Sequence, residues 1–370
     1  MAPPARRCAP AAGRCHYYLR PEGSIHTLVY RTYRWLLFCS FIFLFSACEK
    51  PLRLPYITPE LHNWPTAYKG VPGLRLHVFN TGTLEVRDKL VYRDGSLRNT
   101  ASLDILVFVI EHPRYGLILI GTGLNRQIAD DAERYLGGFR LSLGTLVMAK
   151  DQDILSQLKS AKLPGAKVRS IILPDLRLDH AGELESFPAA QPIVTSAEYE
   201  AAMNERDGTL YVSGEYDAVR EWRFIDFAGA QPLATFRAHR DLFNDGSVLL
   251  IDASGATAGG LAVLVGLPTA PVLLCGNLAW TKEHYFYTRL PGLLFDRAAW
   301  WEKVWRLKKF KDLVPELAVL PDHEWAAVEA AKTKDVVLHP FSGEEVAEDS
   351  DKEKQGNKPK KRGKDKKQQR

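Results

Sequence analysis

The sequence has 370 residues, of which 46% are hydrophobic and 25% are charged, a globular composition that excludes a wholly disordered chain and a multi-span membrane protein. The net charge is +5, but residues 1–35 contribute +5 and residues 351–370 contribute +7, so residues 36–350 carry about −7. The folded part is therefore mildly acidic, and we expect no nucleic-acid binding by it.

Residues 35–47, WLLFCSFIFLFSA, form an apolar run shorter than the roughly 17 to 25 residues that a helix needs to cross a bilayer. A basic segment precedes this run, and the small residues Ser46 and Ala47 stand before Cys48, as at the processing site of a signal peptide. The order resembles a bacterial lipobox. It predicts a leader over residues 1–47, lipidation of Cys48 and a lipid-anchored protein of the bacterial cell envelope. The alternatives are a periplasmic or secreted protein and, for the run itself, a short buried helix.

Five prolines lie between residues 51 and 72, so the segment 48–73 is predicted to be a tether between the anchor and a domain. Of the five cysteines, three would leave with the leader and Cys48 would be acylated, so Cys275 has no partner for a disulfide. Cys275 lies in an apolar strand, where packing is favoured over a reactive thiolate.

The domain is predicted over residues 74–342, where strand-like and helix-like segments alternate. Period-two alternation and short apolar runs predict strands at 74–80, 105–110, 116–120, 168–173, 248–252, 261–265, 272–275 and 317–320. Helical periodicity predicts helices at 128–136, 154–161, 196–203 and 297–309, and another after His323. Two strand-rich halves with helices outside them predict an α/β fold, a four-layer αββα sandwich.

Residues 343–370 have almost no apolar side chains that could offset the entropy of ordering, so they are predicted to form a disordered basic tail. The tail is either a solvated charged segment or an arm that contacts anionic envelope surfaces.

The segment Leu173–Gly182, LPDLRLDHAG, resembles a degraded copy of the signature His-x-His-x-Asp-His-x-Gly of the metallo-β-lactamase superfamily. Six further blocks follow the order and spacing of its N-acyl-homoserine lactonase branch: 77–86, 108–124, 196–202, 241–260, 273–283 and 319–325. The resemblance implies the metallo-β-lactamase type of sandwich and an ancestral hydrolysis of lactones at two zinc ions.

In that family the first ion is held by the two signature histidines and by a third histidine in a later turn. The matching residues here are Asp175, Arg177 and Ala256. Asp175 remains a weak candidate ligand, Ala256 has no donor atom, and the permanent cation Arg177 opposes a divalent ion. The resemblance therefore implies that the first site is lost.

The ligands of the second ion match at Asp179, His180 and His323, whereas the carboxylate that the two ions share is replaced by Asn277, a weaker neutral donor. Two histidines and one carboxylate are the composition of a catalytic zinc site, with Asp179 as the candidate catalytic carboxylate. We expect at most one zinc ion, with no metal as the alternative. The other interpretation is that Asp179 caps a helix and that both histidines are packed in the core.

Two residues are candidates for contact with a ligand. Trp280 stands where the lactonases carry a catalytic tyrosine, and its indole can donate one hydrogen bond but cannot act as a hydroxyl acid. Arg177 lies two residues from Asp175 and from Asp179, so it either forms a structural ion pair or binds a carboxylate or lactone carbonyl. The aromatic and leucine-rich stretch 280–295 is typical either of an acyl-chain pocket or of a loop that covers the site.

The sequence thus predicts an exported protein with a lactonase-like fold that has lost two-zinc catalysis and acts as a binding protein or an altered enzyme. An acyl lactone or a related ester is the expected ligand. A mononuclear zinc hydrolase of lactones or related esters is the alternative, and a scaffold that interacts with the envelope through its tail is a third hypothesis.

Overall fold

The computed structural model describes residues 51–138, 144–205 and 210–342. The predicted leader, Cys48 and the predicted tail lie outside the described residues, and the fold is that of the unit beginning at Leu54. Within the described ranges, no helix has the length and apolar character needed to span a membrane.

Two sheets form the centre of the fold. The first comprises β1 Arg75–Arg87, β2 Thr100–His112, β3 Gly116–Ile120, β4 Gly144–Val147, β5 Val168–Ile172, β6 Gln191–Thr195, β7 Arg223–Ile225 and β14 Val336–His339. Its order is β14-β1-β2-β3-β5-β6-β7, with β4 also paired to β1. The second comprises β8 Gln231–Leu233, β9 Phe236–Asp241, β10 Val248–Asp252, β11 Leu261–Val265, β12 Val272–Leu274 and β13 Ala318–Leu320, in the order β13-β12-β11-β10-β9-β8.

The α-helices of the described residues are α1 Asp88–Val91, α2 Gln127–Leu136, α3 Ile154–Ser160, α4 Leu178–Ala181, α5 Ser196–Asn204, α6 Lys282–Phe286, α7 Arg297–Leu313 and α8 Trp325–Ala331. The longest, α7, begins at the cap residue Asp296, whose carboxylate accepts hydrogen bonds from the backbone N–H groups of Ala298 and Ala299. Its buried residues recur at helical spacing, Trp300, Val304, Leu307 and Phe310, which places one apolar stripe against the second sheet.

Side chains alternate along the strands, which divides the apolar residues among three cores, one between the sheets and one on the outer face of each sheet. Leu76 and Val78 of β1 belong to the core between the sheets, together with Val263 of β11, whereas Phe79 and Leu264 belong to the outer clusters. Helices α3 and α5 cover the outer face of the first sheet, and α7 covers the outer face of the second. The predicted four-layer αββα sandwich is confirmed.

Part of the predicted tether is packed structure. His62 exchanges two backbone hydrogen bonds with Ala234, at 3.0 and 2.7 Å, and the ring of Trp64 meets that of Phe310 edge-on with 4.9 Å between centroids. The Tyr68 hydroxyl donates to the Leu267 carbonyl at 2.6 Å. The chain from His62 to Tyr68 therefore belongs to the folded body rather than to a free spacer.

The strand directions bring distant segments to one edge. Strands β10 and β12 are both antiparallel to β11, and β13 is parallel to β12, so the residues that follow β10, β12 and β13 emerge at the same edge of the second sheet. The loop after β5 joins them, because the backbone N–H of Leu261 donates to the Pro174 carbonyl at 2.9 Å.

Candidate metal centre and ligand cavity

Asp175 is the hub of a buried polar cluster at this edge. Its Oδ1 accepts a hydrogen bond from the backbone N–H of Arg177 at 3.0 Å and lies 2.7 Å from Nδ1 of His180. Its Oδ2 accepts a hydrogen bond from the Asn277 amide, which follows β12 in the other sheet. Both carboxylate oxygens are thus engaged by the chain itself, and the residue links the two sheets.

His180 lies between two carboxylates. Nδ1 is 2.7 Å from Asp175 and Nε2 is 2.7 Å from Oδ2 of Asp322. Burial lowers the pKa of His180, but Asp175, Asp322 and then Asp179 raise it by more, so the net pKa lies well above its usual value. Because both nitrogens face carboxylate oxygens, the geometry favours the imidazolium, which can donate from both.

The backbone of His180 is held by a tight turn after β3. The backbone N–H and the hydroxyl of Thr122 both donate to the His180 carbonyl, at 2.7 and 3.0 Å. Gly121 precedes Thr122 with a φ of +71°, and a Cβ there would lie 3.3 Å from the imidazole of His180. A glycine at this position therefore lets the turn approach the ring.

His323 and Asp179 form the other half of the cluster. Nδ1 of His323 donates to the Asp104 carbonyl at 2.8 Å, and Nε2 lies 3.3 Å from both Asp179 and Asp322. Burial lowers the pKa of His323, but the two carboxylates raise it above its usual value; burial raises the pKa of Asp179, but His180, His323 and Arg177 hold it well below its usual range. Asp179 is therefore an ionised partner of His323 rather than the cap of α4.

Arg177 lies among the residues that match the first ion's ligands. It is 9% exposed, Nη2 donates to the Ala256 carbonyl at 3.2 Å, and Nε is 3.8 Å from Oδ2 of Asp175. Within the described residues, Nε has no hydrogen-bond acceptor. Burial lowers the pKa of Arg177, but Asp175 and other acidic neighbours raise it by more, so the guanidinium stays charged.

Trp280 and Asn277 are bound to each other. The indole N–H of Trp280 donates to the Asn277 side-chain carbonyl, and the Asn277 amide donates to Asp175. The one hydrogen bond that Trp280 was expected to offer a ligand is used inside the protein. A ligand can therefore meet only the ring of Trp280, and Asn277 already uses its carbonyl and one N–H within the cluster.

An apolar cavity of about 280 Å³ opens beside this cluster. Its walls are formed mainly by leucines, and its polar end by charged residues and an indole: Leu84, Val86, Leu90, Leu103, Leu136, Gly144, Leu146, Leu178, Leu210 and Leu293, with Arg177, Asp179, Trp280 and His323. A larger depression of about 1000 Å³ is lined by other residues, among them Lys159 and His339. The smaller space is the relevant one because it alone of these two borders the charged cluster.

Of the two interpretations of the stretch 280–295, the acyl-chain pocket holds for only two of its residues. Only Trp280 and Leu293 of that stretch line the cavity. Tyr285, Leu290 and Leu294 pack on the outer core of the second sheet, while Phe286, Tyr287 and Phe295 are exposed. Much of the pocket wall instead comes from β1, β2 and β4, and of these strand residues only Leu84 and Val86 lie in a block of the resemblance, 77–86.

Asp322 is a site residue that sequence reasoning missed. It is buried and contacts both imidazole rings, at 2.7 Å for His180 and 3.3 Å for His323. Its position directly before His323 was the available signal, because an acidic residue beside a late histidine is a natural partner for it. Cys275, also buried, keeps a raised thiol pKa through burial and the nearby Asp322, as expected for a packed cysteine.

The donor set does not fit two metal ions. At the first position Arg177 supplies a cation and Ala256 a buried methyl group, and Asn277 is bound to Asp175 and Trp280. At the second, one donor atom from each of Asp179, His180 and His323 lies within 4.8 Å of the other two. This trio fits a single ion if His180 gives up a proton and its contact with Asp322.

The cluster pairs basic with acidic side chains. Arg177, His180 and His323 each contact at least one of the carboxylates Asp175, Asp179 and Asp322, and Glu198 is a further buried acid beside them. Charges in a buried site persist when they are paired and hydrogen-bonded in this way.

Comparison with known proteins agrees with this geometry. Residues 103–323 match the metallo-beta-lactamase superfamily, whose members usually bind zinc. The chain belongs to this superfamily. The resemblance drawn from the motifs is thereby confirmed.

Lactonases are among its relatives. The N-acyl homoserine lactonase AttM of Agrobacterium fabrum is 28% identical over 243 residues, which are 65% of this chain and 89% of the relative. AttM of Rhizobium johnstonii is 28% identical over 225 residues, 60% and 82% of the two chains.

Solved structures show the same fold. A B. thuringiensis AiiA variant with N-decanoyl-L-homoserine bound at the active site superposes with a TM-score of 0.60 at 19% identity, over 70% of this chain and 97% of that one. An N-acyl homoserine lactone hydrolase with N-hexanoyl-L-homoserine at its catalytic metal center gives the same TM-score, identity and coverage.

Proposed function

We propose that this protein is an exported member of the superfamily that has lost dinuclear zinc catalysis and binds an acyl lactone, or a related ester, in its leucine-lined cavity. The observation that carries the proposal is the cavity itself, whose polar end is formed by Arg177, Asp179 and His323. The site keeps a place for an acyl chain, while the metal donors beside it are engaged with one another.

The loss of two-metal chemistry follows from the first position. A bridging carboxylate and three histidines are replaced by groups that are neutral, cationic or already bonded, so the donors that would lower the pKa of a water molecule between two ions are missing from this set. Hydrolysis of lactones is then expected to be slow or absent.

The polar end gives the ligand its orientation. Arg177 is almost fully buried and lines the end of the cavity. A lactone carbonyl or a carboxylate there would accept from the part of the guanidinium that faces the cavity, while the acyl chain lies along Leu84, Leu103 and Leu146. N-acyl homoserine lactones are the compounds named for the relatives, and we carry that class over to this chain.

A filled cavity tests the binding function. Leu146 lines the cavity, so the larger side chain of Leu146→Trp should fill it and abolish the calorimetric signal of a titration with N-decanoyl homoserine lactone. Val147→Trp is the matched control, because Val147 is the next residue of β4 and is exposed. Equal binding by both variants, or no binding by the unmodified protein, would refute the cavity as the ligand site.

A mononuclear zinc hydrolase is the second candidate. Asp179, His180 and His323 bring three donor atoms within 4.8 Å, which favours a single ion, and such an ion would supply Lewis acidity to a lactone carbonyl at the cavity's end. This alternative requires that His180→Ala and His323→Ala each remove both bound zinc and lactone opening. A protein that binds lactone but is unchanged in both respects by these substitutions is not such an enzyme.

Export and anchoring are part of the proposal and rest on the sequence alone. Cys48→Ala should abolish fatty-acid labelling and release the protein from the membrane fraction, whereas Cys39→Ala, inside the apolar run, should leave both unchanged. A protein that stays unlabelled before any substitution would instead be periplasmic or secreted.

A further inference from the structure

An exposed aromatic patch follows the cavity residue Trp280 in the chain. Phe286, Tyr287 and Phe295 are 52, 64 and 68% exposed, and the rings of the first two meet edge-on with 4.8 Å between centroids. Leu293, in the same segment, is exposed on one side and lines the cavity on the other. We call Phe286, Tyr287, Leu293 and Phe295 the aromatic patch. Large apolar side chains exposed together in one segment mark an interaction surface.

Two lysines lie beside the patch at Phe286. The ammonium of Lys282 lies 5.3 Å from the centre of the Phe286 ring, and that of Lys308 lies 5.8 Å from it. The sequence over 282–313 has eight Lys and Arg residues and four acidic residues, a net of +4 within a fold whose residues 36–350 carry about −7. Ion pairs with acidic neighbours offset part of this charge at Arg289, Lys303 and Arg306, whereas Lys282 and Lys308 form no ion pair among the described residues.

Aromatic rings flanked by lysines are typical of surfaces that enter the headgroup region of a bilayer. Rings with a polar or charged neighbour lie at the boundary between headgroups and acyl chains, and the ammonium groups bind anionic lipid phosphates. Because the local charge is opposite to that of the rest of the fold, an anionic surface would be held at this segment and repelled elsewhere.

We propose that the aromatic patch binds an anionic lipid surface and brings the wall of the cavity formed by Leu293 next to the bilayer. An acylated ligand dissolved in the membrane would then reach the cavity without crossing water. Binding of lipid by the patch does not depend on the proposed ligand, so each can fail separately.

Site-resolved hydrogen–deuterium exchange tests this proposal. The chain from residue 48 onward, which is the form that the predicted processing leaves, carries Cys48→Ala to remove any lipid anchor and is measured with vesicles of phosphatidylcholine alone and with vesicles that contain phosphatidylglycerol. The expected result is slower exchange in peptides covering 282–296 with the anionic vesicles only. The predicted tail is present in every sample, and its peptides are followed separately.

Co-sedimentation with the same vesicles compares how strongly variants bind. Phe286→Ser/Tyr287→Ser/Phe295→Ser should lower the apparent partition coefficient about tenfold or more, since each aromatic ring that enters the bilayer contributes a large part of interfacial binding. Leu54→Ser/Tyr56→Ser/Phe224→Ser is the matched control, because these residues are 70, 85 and 48% exposed and lie outside the segment. Lys282→Gln/Lys308→Gln should weaken binding to anionic vesicles alone.

Two results would overturn the proposal. One is unchanged exchange over 282–296 while the protein sediments with vesicles, which would assign lipid binding to another segment such as the tail. The other is an equal loss of binding in the aromatic and control variants. The aromatic and control side chains are about half or more exposed and Lys308 is partly exposed, so circular dichroism should show the same fold in all variants.

Discussion

The two halves of the site differ in how far their residues match the metal ligands implied by the resemblance to the lactonases. Around Arg177, Asp175 and Ala256 the ligand types themselves have changed, and a guanidinium lies among them. Around His180 and His323 the ligand types are retained, yet the imidazoles are paired with carboxylates. In the metal-free protein the retained histidines are held by contacts with carboxylates, so the ligand types alone do not decide whether this half binds a metal ion.

Removal of Asp175 should have the largest effect. Asp175→Ala leaves His180, Arg177 and Asn277 without their shared partner in a buried position, so we expect a loss of about 3–5 kcal/mol in the free energy of unfolding by denaturant titration. Asp179→Ala should cost less, about 1.5–3 kcal/mol, since His323 keeps Asp322 nearby. Equal losses of stability in the two variants would contradict the expectation that Asp175 contributes more than Asp179.

Arg177→Met should weaken the binding of a ligand in the cavity. The substitution keeps much of the volume and removes the donor at the cavity's end, so affinity for an acyl lactone should fall on the order of tenfold or more in calorimetry. Arg177→Lys keeps the charge without the planar fork and should recover only part of it. Zinc content should stay the same or rise, because a competing cation is gone; a loss of zinc would contradict this.

The pH dependence of stability separates the imidazolium pairs from ordinary buried histidines. Folding raises the pKa of His180 and His323, so their stabilisation in the metal-free protein is complete below about pH 6.5 and is lost as the pH rises through the raised values. The melting temperature should fall on the alkaline side, and Asp322→Asn should flatten that decline.

His284 provides the control of opposite sign. Burial lowers its pKa to about 4, so its neutral form is favoured by folding and its contribution is lost as the pH falls from about 6.5 toward 4. His284→Gln should therefore alter the acid side of the melting profile and leave the alkaline decline in place. If the alkaline decline disappeared in His284→Gln, its cause would be His284 rather than His180 and His323, which would contradict this expectation.

Trp280→Phe should have the smallest effect. The change removes the hydrogen bond to Asn277 while keeping an aromatic ring in the cavity wall, so we expect a loss of about 0.5–1.5 kcal/mol in stability and little change in ligand affinity. A large loss of affinity would mean that the indole N–H serves the ligand after all.

Much of the fold was predictable because its central strands are continuous apolar runs. The runs at 105–110, 116–120 and 261–265 lie within observed strands, and the stripe of α7 was legible at helical spacing. The strands β4, β6, β7, β8, β9 and β14 were not predicted, since three to six residues with mixed polarity carry no clear period.

The site was predictable only as far as motifs extend. The matching positions Asp179, His180 and His323 are brought together, but the motif could not reveal that Asp322 lies against both imidazoles. The cavity walls escaped prediction for a similar reason: Leu84, Leu103 and Leu146 come from three strands that become neighbours only in the folded sheet. Contacts between distant segments depend on topology rather than on local pattern.

Metal content tests the central claim most directly. The protein is purified in the presence of zinc, dialysed and analysed by mass spectrometry for bound metal, alongside His180→Ala, His323→Ala and Arg177→Met, with lactone opening followed on the same samples. The account predicts at most one equivalent of zinc in the unmodified protein, lost in both histidine variants, with slow or absent lactone opening. Two tightly bound zinc ions with fast turnover would contradict it.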